Sequence, residues 1–276
     1  MLHGLLIDEH HSVRMEALDA ILDARHPSSI GHLLDRLSSE HGVVRPLILR
    51  NLQLLTGEDF GNSPQMWSNW WRDHEDGFKI PSLKDAKAAA TQRGERKDKN
   101  STKASFYGMR ILSDRMCFVI DNSASMKNKT KSGKTRIKAM QDQLTATMES
   151  LPDGAMVNMA FFAARVENWD KELRILNVKS RTEAIEMINQ VGTGGMTITY
   201  EGLMAGLADP RVDTIYLLTD GHPSGGEFPN TGDILREIGR FNSIRHVVIN
   251  CISVGRDSGF LKNLAEQNHG SYARVD

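Results

Sequence analysis

Four short apolar segments alternate with helical segments in the second half of the chain, and this alternation constrains the fold more than any other feature. The stretches between them carry apolar residues at helical spacing. Strands that are apolar on both faces and separated by helices form a parallel sheet covered on both sides. The sequence therefore predicts a doubly wound α/β domain over residues 107–276. The four predicted strands are RMCFVID, MVNMAFFA, DTIYLLTD and HVVINCISV.

Two of these strands end in an acid, and hydroxyl side chains lie close by. Asp121 follows CFVI and Asp220 follows YLLT, so we expect both carboxylates at the carboxyl edge of the sheet, where such sheets bind ligands. The two carboxylates repel each other there unless a cation lies between them. Ser123, Ser125 and Thr197 add neutral oxygen atoms. Two carboxylates and three hydroxyls suit a hard divalent cation, most naturally Mg²⁺, with one position open to an exchangeable ligand.

This set of residues resembles the von Willebrand factor A (VWA) domain with its metal-ion-dependent adhesion site. Asp121–Ser125 matches the D-x-S-x-S motif of that site, and Thr197 and Asp220 match its later threonine and strand-terminal aspartate. The resemblance covers the predicted α/β domain and implies a Rossmann-like, mostly parallel sheet.

In that family Ser123, Ser125 and Thr197 would contact Mg²⁺, Mn²⁺ or Ca²⁺, and Asp121 and Asp220 would act directly or through water. The resemblance further implies that an Asp or Glu of a protein partner completes the metal shell, so that the site docks a partner and does no chemistry. The family usually has threonine directly after two glycines, whereas Met196 stands before Thr197 here. Thr197 is the predicted ligand, and Thr199 is the alternative.

Residues 1–76 have a helical pattern with an internal repeat. Val13-Arg14 returns as Val44-Arg45 and Leu18 as Leu49, which is an offset of 31 residues. Helix pairs at such a period indicate an α-solenoid, and the segment resembles a HEAT-type repeat. Because solenoid units bury faces on both neighbours, we expect further repeats before Met1 in the full gene. The segment MWSNWWRDH places three tryptophans on one helix face, which favours a helix that closes the repeat core.

Residues 77–106 read as a basic, flexible linker, since the lysine-rich part has no periodic apolar positions. The formal net charge is -1, so no global field favours nucleic acid. The two cysteines fall inside apolar runs and read as buried free thiols. No segment is long and apolar enough to predict a membrane span, and no signal peptide is recognisable. The chain is therefore predicted to be cytoplasmic if Met1 is its true start.

The function predicted from these residues is a metal-dependent protein-binding module and not an enzyme. One alternative is a structural or assembly protein, in which a closed metal site only fastens the sheet edge. A less favoured alternative is a Mg²⁺-dependent phosphohydrolase, because haloacid-dehalogenase-type phosphatases need D-x-D and the second acid is replaced here by Ser123. The sequence names neither the partner nor the oligomeric state.

Overall fold

A computed structural model of the chain describes residues 2–61, 63–89 and 104–276. The chain divides into two compact units, Met1–Thr102 and Lys103–Asp276. Residues 90–103 of the predicted linker lie outside the described residues. On either side of them, residues 83–89 are helical and residues 105–106 form a short strand. The domain boundaries drawn from the sequence stay a prediction.

The described residues of the first unit form helices and connecting turns. The helices are α1 (Leu2–Leu5), α2 (His11–Ala24), α3 (Ser28–Leu37), α4 (Val44–Thr56), α5 (Pro64–His74) and α6 (residues 83–89). Consecutive helices pair as α1 with α2 and α3 with α4. Alternate helices also touch, because α2 packs against α4 and α3 against α5. The helices therefore lie in two layers, one that contains α2 and α4 and one that contains α3 and α5.

Arg14 and Arg45, which lie 31 residues apart, each connect the first turn of their helix to the preceding segment. The guanidinium of Arg14 donates to the carbonyl of Asp8 at 2.6 Å and forms an ion pair with the buried Glu40 at 3.0 Å. The guanidinium of Arg45 donates to the carbonyls of Leu37 and Glu40. Arg45 thus satisfies the carbonyl of Leu37, the last residue of α3, which lacks a helical partner. Arg14 satisfies the carbonyl of Asp8 in the turn before α2.

The tryptophan-rich helix α5 buries one side only. Trp67 is fully buried, and Phe60 meets it edge-on with ring centroids 5.0 Å apart. Trp70 and Trp71 are half-buried, and both contact Phe78, at centroid distances of 5.6 and 5.4 Å. The predicted aromatic face is therefore one cluster, with Trp67 in the core and the other two rings at its edge.

A mostly parallel, twisted sheet forms the centre of the second unit. The elements of this unit are, in chain order, β1 (Ser105–Phe106), β2 (Met109–Arg110), β3 (Arg115–Asp121), α7 (Arg136–Ser150), β4 (Met156–Phe162), β5 (Val166–Asn168), β6 (Arg174–Ile175), α8 (Val178–Gln190), α9 (Thr199–Gly206), β7 (Thr214–Thr219), α10 (Thr231–Arg245), β8 (Val248–Val254), α11 (Gly259–Gln267) and β9 (Tyr272–Val275). The strand order of the sheet is β5-β4-β3-β7-β8-β9, with β6 also pairing with β4. Strands β4, β3, β7, β8 and β9 run parallel, and among the described strands of this sheet β5 and β6 run antiparallel to β4.

Helices cover both faces of this sheet because its strands are apolar on both sides. Along β3, Phe118 and Ile120 face a core built with α7 and α8, whereas Cys117 and Val119 face a core built with α9, α10 and α11. This alternation follows from the two-residue period of a strand. The predicted doubly wound, Rossmann-like fold class is confirmed. Both cysteines are free and buried, as predicted.

Local sequence signals set the ends of the helices. The Thr135 hydroxyl caps α7, and Asn177 and Ser180 form a reciprocal capping box at the start of α8. The edge strands β5, β6 and β9 and the β1–β2 hairpin were not predicted, since each is only two to four residues long. Among the described residues, no helix has the length and apolarity needed to cross a membrane.

Candidate metal centre

The sheet brings Asp121 and Asp220 to the same edge. Strands β3 and β7 are direct neighbours, with Ile120 level with Leu218, so the last residue of β3 lies level with Thr219. The chain leaves β3 towards β4 on one side and returns to β7 on the other. The carboxyl ends of β3 and β7 therefore flank the switch point of the sheet, which is where doubly wound sheets leave a crevice for ligands.

The Asp121 carboxylate is fully buried and holds the loop that follows its own strand. One oxygen accepts the backbone N–H of Ser123 at 2.8 Å, and the other accepts the hydroxyl of Thr219 at 2.5 Å. The first contact is a local turn in which an aspartate binds the backbone two residues later. Burial raises the pKa of Asp121 and the nearby Asp220 charge adds to this, whereas the hydrogen bonds from Ser123 and Thr219 act in the opposite direction. Thr219, which sequence reasoning missed, is thus part of the site.

A chain of hydroxyls links the first loop to the second aspartate. The oxygens of Ser123 and Ser125 lie 3.1 Å apart, and the Ser125 hydroxyl donates to Oδ1 of Asp220 at 2.6 Å. The alternate spacing of the two serines places both side chains on the same side of the turn. The side chains of Ser123, Ser125 and Asp220, three of the five predicted ligands, are therefore linked by hydrogen bonds, although they come from two loops that are about a hundred residues apart.

The third loop carries Thr197 and is fixed to both other loops. Its Gly195 carbonyl accepts the N–H of Ala124 at 3.2 Å, and the N–H of Thr197 donates to the Ser224 hydroxyl at 2.9 Å. A Cβ atom placed on Gly221 would lie 3.7 Å from the hydroxyl of Thr197 and 3.9 Å from that of Ser125. Both hydroxyls thus face the region above Gly221. Ser224 was also missed, since its only sequence signal is a place in a glycine-rich loop.

The alternative threonine, Thr199, opens helix α9 and is fully buried. Its hydroxyl has no hydrogen-bond partner within the part of the chain that the structure describes. The Thr197 hydroxyl faces the same region above Gly221 as the Ser125 hydroxyl, which favours Thr197 as the third-loop residue, and the choice between the two threonines stays a prediction.

A positive side chain that the sequence analysis did not single out reaches Asp220. The guanidinium of Arg136, the first residue of α7, donates to Oδ2 of Asp220 at 2.5 Å. Neither its spacing from Asp121 nor its place at a helix start marks Arg136 as a site residue in the sequence. Asp220 therefore has a hydrogen-bond donor on each of its two carboxylate oxygens.

The donor set fits a hard divalent cation. Two aspartates and three hydroxyls supply only oxygen atoms and carry two negative charges, which matches the preference of Mg²⁺, Mn²⁺ and Ca²⁺. A cation bound to these oxygens would take the place of the hydrogen bonds between the two serines and from Ser125 to Asp220, while the hydroxyls keep their protons. Over residues 2–61, 63–89 and 104–276, no three histidine, cysteine, aspartate or glutamate side chains are grouped so that they could hold a metal. The candidate centre thus depends on its hydroxyls.

Comparison with known protein families identifies the domain formed by the second unit. A family model described as the von Willebrand factor type A domain matches residues 114–274, a span that contains every residue of this site. The chain belongs to the von Willebrand factor type A domain family. The family resemblance inferred from the D-x-S-x-S motif is confirmed, and membership supports a general role in protein interaction. The HEAT-type resemblance of the first unit is not part of this match, although that unit is helical.

Two human proteins are similar to part of the chain. Von Willebrand factor A domain-containing protein 3B is 29% identical over 135 residues, which are 49% of this chain and 10% of that protein. Von Willebrand factor A domain-containing protein 3A is 24% identical over 167 residues, which are 59% of this chain and 13% of that protein. The chain therefore spans only a small part of the length of these relatives.

Solved structures with a similar fold include a von Willebrand factor type A protein from Catenulispora acidiphila, at 19% identity and a TM-score of 0.48. That match covers 58% of this chain and 38% of the other. Another is proximal thread matrix protein 1 from the mussel byssus with a zinc-occupied MIDAS motif, at 19% identity and a TM-score of 0.45. It covers 60% of this chain and 43% of the other.

Gly195, in the third loop, lies too close to Ala164 to accept a side chain. Gly195 has a φ of +76°, and a Cβ there would lie 2.7 Å from the Cβ of Ala164. We expect Gly195→Ala to lower the free energy of unfolding by about 1–3 kcal/mol, because it adds both backbone strain and overlap. Gly192→Ala is the matched control, since a Cβ there meets no atom within 4 Å. Urea denaturation measures both, and equal stability of the two variants would contradict this account of the loop.

Proposed function

We propose that the VWA domain is a metal-dependent protein-binding module in which Asp121, Ser123, Ser125, Thr197 and Asp220 hold a divalent cation. The observation that carries the proposal is the hydrogen-bonded chain from Ser123 through Ser125 to Asp220. It brings oxygen ligands from two loops together at the switch point of a parallel sheet, and Thr197 approaches from a third loop. We favour Mg²⁺ as the physiological ion, with Mn²⁺ and Ca²⁺ as substitutes.

Each residue has a distinct part in this proposal. When bound, the cation supplies a positive centre that accepts a carboxylate. Ser123, Ser125 and Thr197 offer neutral oxygens, so the site carries less negative charge than a cage of carboxylates and leaves the cation attractive to an outside Asp or Glu. Asp121 fixes the first loop through its hydrogen bonds with Ser123 and Thr219. The partner is a protein that presents an acidic side chain.

Two alternatives differ from this proposal in measurable ways. In a structural or assembly protein the cation would be closed off and indifferent to added carboxylates. A phosphohydrolase would turn over a phosphate ester with Mg²⁺ and lose that activity in Asp121→Asn. That the chain is not an enzyme stays a prediction, favoured by Ser123 at the position where a haloacid-dehalogenase-type phosphatase needs a second acid.

The test is calorimetric titration of Mg²⁺ and Mn²⁺ into EDTA-treated protein. We expect saturable binding that falls at least about tenfold in Ser125→Ala and Asp220→Asn, because each change removes one oxygen ligand or one charge. Ser132→Ala and Asp142→Asn are the matched controls, since they remove a hydroxyl from the exposed part of the same loop and a carboxylate from α7.

A second titration uses a short peptide with a central glutamate and its glutamine counterpart, each added to the metal-loaded protein. Binding of the glutamate peptide alone is the expected result. Metal affinity that is unchanged in Ser125→Ala and Asp220→Asn would overturn the proposed site. If the metal-loaded protein does not bind the glutamate peptide, the closed structural site is favoured. If the protein hydrolyses a phosphate ester and Asp121→Asn does not, the enzyme is favoured.

We infer further that the first unit is a HEAT-like pair of repeats that offers a second interaction surface. The two-layer arrangement of α2 with α4 and of α3 with α5 supports this reading. So do Arg14 and Arg45, which lie 31 residues apart and make the same kind of contact to the segment before their helix. Internal repeats are expected to reuse one contact at equivalent positions.

The repeat interpretation predicts that Arg14→Ala and Arg45→Ala weaken the unit alike. Each substitution leaves carbonyl groups without a donor, so we expect each to lower the free energy of unfolding by about 1–3 kcal/mol. Arg50→Ala, on the exposed side of α4, is the control and should stay within about 0.5 kcal/mol of the parent. Tryptophan fluorescence during urea denaturation reports this unit, because three of the four tryptophans lie in it. An effect at only one of the two repeat positions would contradict their equivalence.

A further inference from the structure

A positively charged side chain of the protein, the guanidinium of Arg136, lies at the candidate metal centre. The Asp220 side chain has no solvent exposure, and its Oδ2 pairs with the Arg136 guanidinium, which is 20% exposed. The other oxygen, Oδ1, accepts the Ser125 hydroxyl. Because an unpaired buried carboxylate is strongly unfavourable, the Arg136 guanidinium offsets the cost of burying Asp220.

Contacts on both sides of Arg136 fix its position. Its backbone N–H donates to the carbonyl of Asn128 at 2.8 Å, and the Thr135 hydroxyl caps the same helix, so the side chain starts from a fixed point. On the far side the guanidinium lies against Gly255, which has a φ of +83°. A Cβ on Gly255 would lie 2.5 Å from Nη2 of Arg136. A side chain at residue 255, directly after β8, would therefore crowd the guanidinium and shift it.

The pairing changes the charge of the site. With both carboxylates ionised in the metal-bound site, Asp121 and Asp220 would contribute -2, and the Arg136 guanidinium beside Asp220 would reduce this to -1. A divalent cation then gives a net charge of +1, whereas without the arginine it would give zero. Coulomb repulsion between the guanidinium and the incoming cation weakens metal binding, and the same positive charge strengthens the attraction for an incoming carboxylate.

We propose that Arg136 is a positioning residue and internal counter-ion of the site, which lowers its affinity for the metal and raises the affinity of the loaded site for an acidic partner. It holds Oδ2 of Asp220, so that Oδ1 stays turned towards the serine hydroxyls. This inference rests on the proposed function, since it describes how the same site is tuned.

An ordinary structural ion pair would behave differently. Loss of such a pair would lower stability and leave a less ordered Asp220, so metal affinity would stay the same or fall. The counter-ion role predicts the opposite direction for metal affinity, together with a fall in stability of the metal-free protein. The two readouts therefore separate the roles.

The experiment compares Arg136→Gln, Arg136→Lys and the parent chain. Mg²⁺ affinity is measured by calorimetry on EDTA-treated protein, and thermal unfolding is measured with EDTA and with Mg²⁺. We expect Arg136→Gln to bind Mg²⁺ about tenfold or more tightly, because the repelling charge is gone. In EDTA its melting temperature should fall, and Mg²⁺ should restore it by a larger shift than in the parent. Arg136→Lys keeps the charge and should bind Mg²⁺ within about threefold of the parent.

A second variant covers the case in which Arg136→Gln does not fold. Gly255→Ala displaces the guanidinium without removing it, and it should also raise Mg²⁺ affinity above that of the parent. The glutamate peptide should bind more weakly to metal-loaded Arg136→Gln than to the metal-loaded parent.

The outcomes separate this inference from the function on which it rests. If the parent binds Mg²⁺ and Arg136→Gln binds it equally or more weakly, the inference is overturned and the metal site stands. If only Arg136→Gln binds Mg²⁺, the counter-ion role is supported and the parent is not a metal-dependent module. If neither protein binds Mg²⁺, both proposals are overturned.

Discussion

Repulsion between two buried carboxylates is the constraint on which the rest of the site depends. Strand β3 ends in Asp121, and Asp220 directly follows β7. Because these two parallel strands are neighbours, the two acids lie at the same edge of the sheet. The structure compensates each charge separately. Asp121 is surrounded by hydrogen-bond donors, whereas Asp220 is paired with Arg136. The surrounding loops pack around the donors to Asp121 and the ion pair between Arg136 and Asp220.

Loop packing then converts this edge into a defined cluster of oxygen atoms. The first loop is held by Asp121, the third loop is hydrogen-bonded to the first through Ala124 and Gly195, and the loop after β7 is bonded to Thr197 through Ser224. Each loop thus depends on another for its position. A change in one of them is expected to move ligand oxygens that belong to the others, so the packing of Gly195 against Ala164 also matters for the serine loop.

The sequence predicted the fold and the five candidate ligands because their signals are local. Each main strand is a continuous apolar run, and Asp121, Ser123 and Ser125 lie within five residues of each other. The short edge strands carry too few residues to show a period. Thr219, Ser224 and Arg136 could not be found in this way, because their roles come from contacts between segments distant in sequence. Arg136, for example, meets Asp220 across 84 residues, and its guanidinium lies against Gly255.

In the proposed site, oxygens from three loops converge on one divalent cation, and anomalous diffraction from crystals soaked in Mn²⁺ is the first measurement to make. We expect a single strong peak among Asp121, Ser123, Ser125, Thr197 and Asp220, at roughly 2.0–2.4 Å from the serine oxygens. The peak should disappear in crystals of Ser125→Ala. A well-ordered site without a peak, or a Mn²⁺ peak elsewhere in the domain, would rule out this convergence.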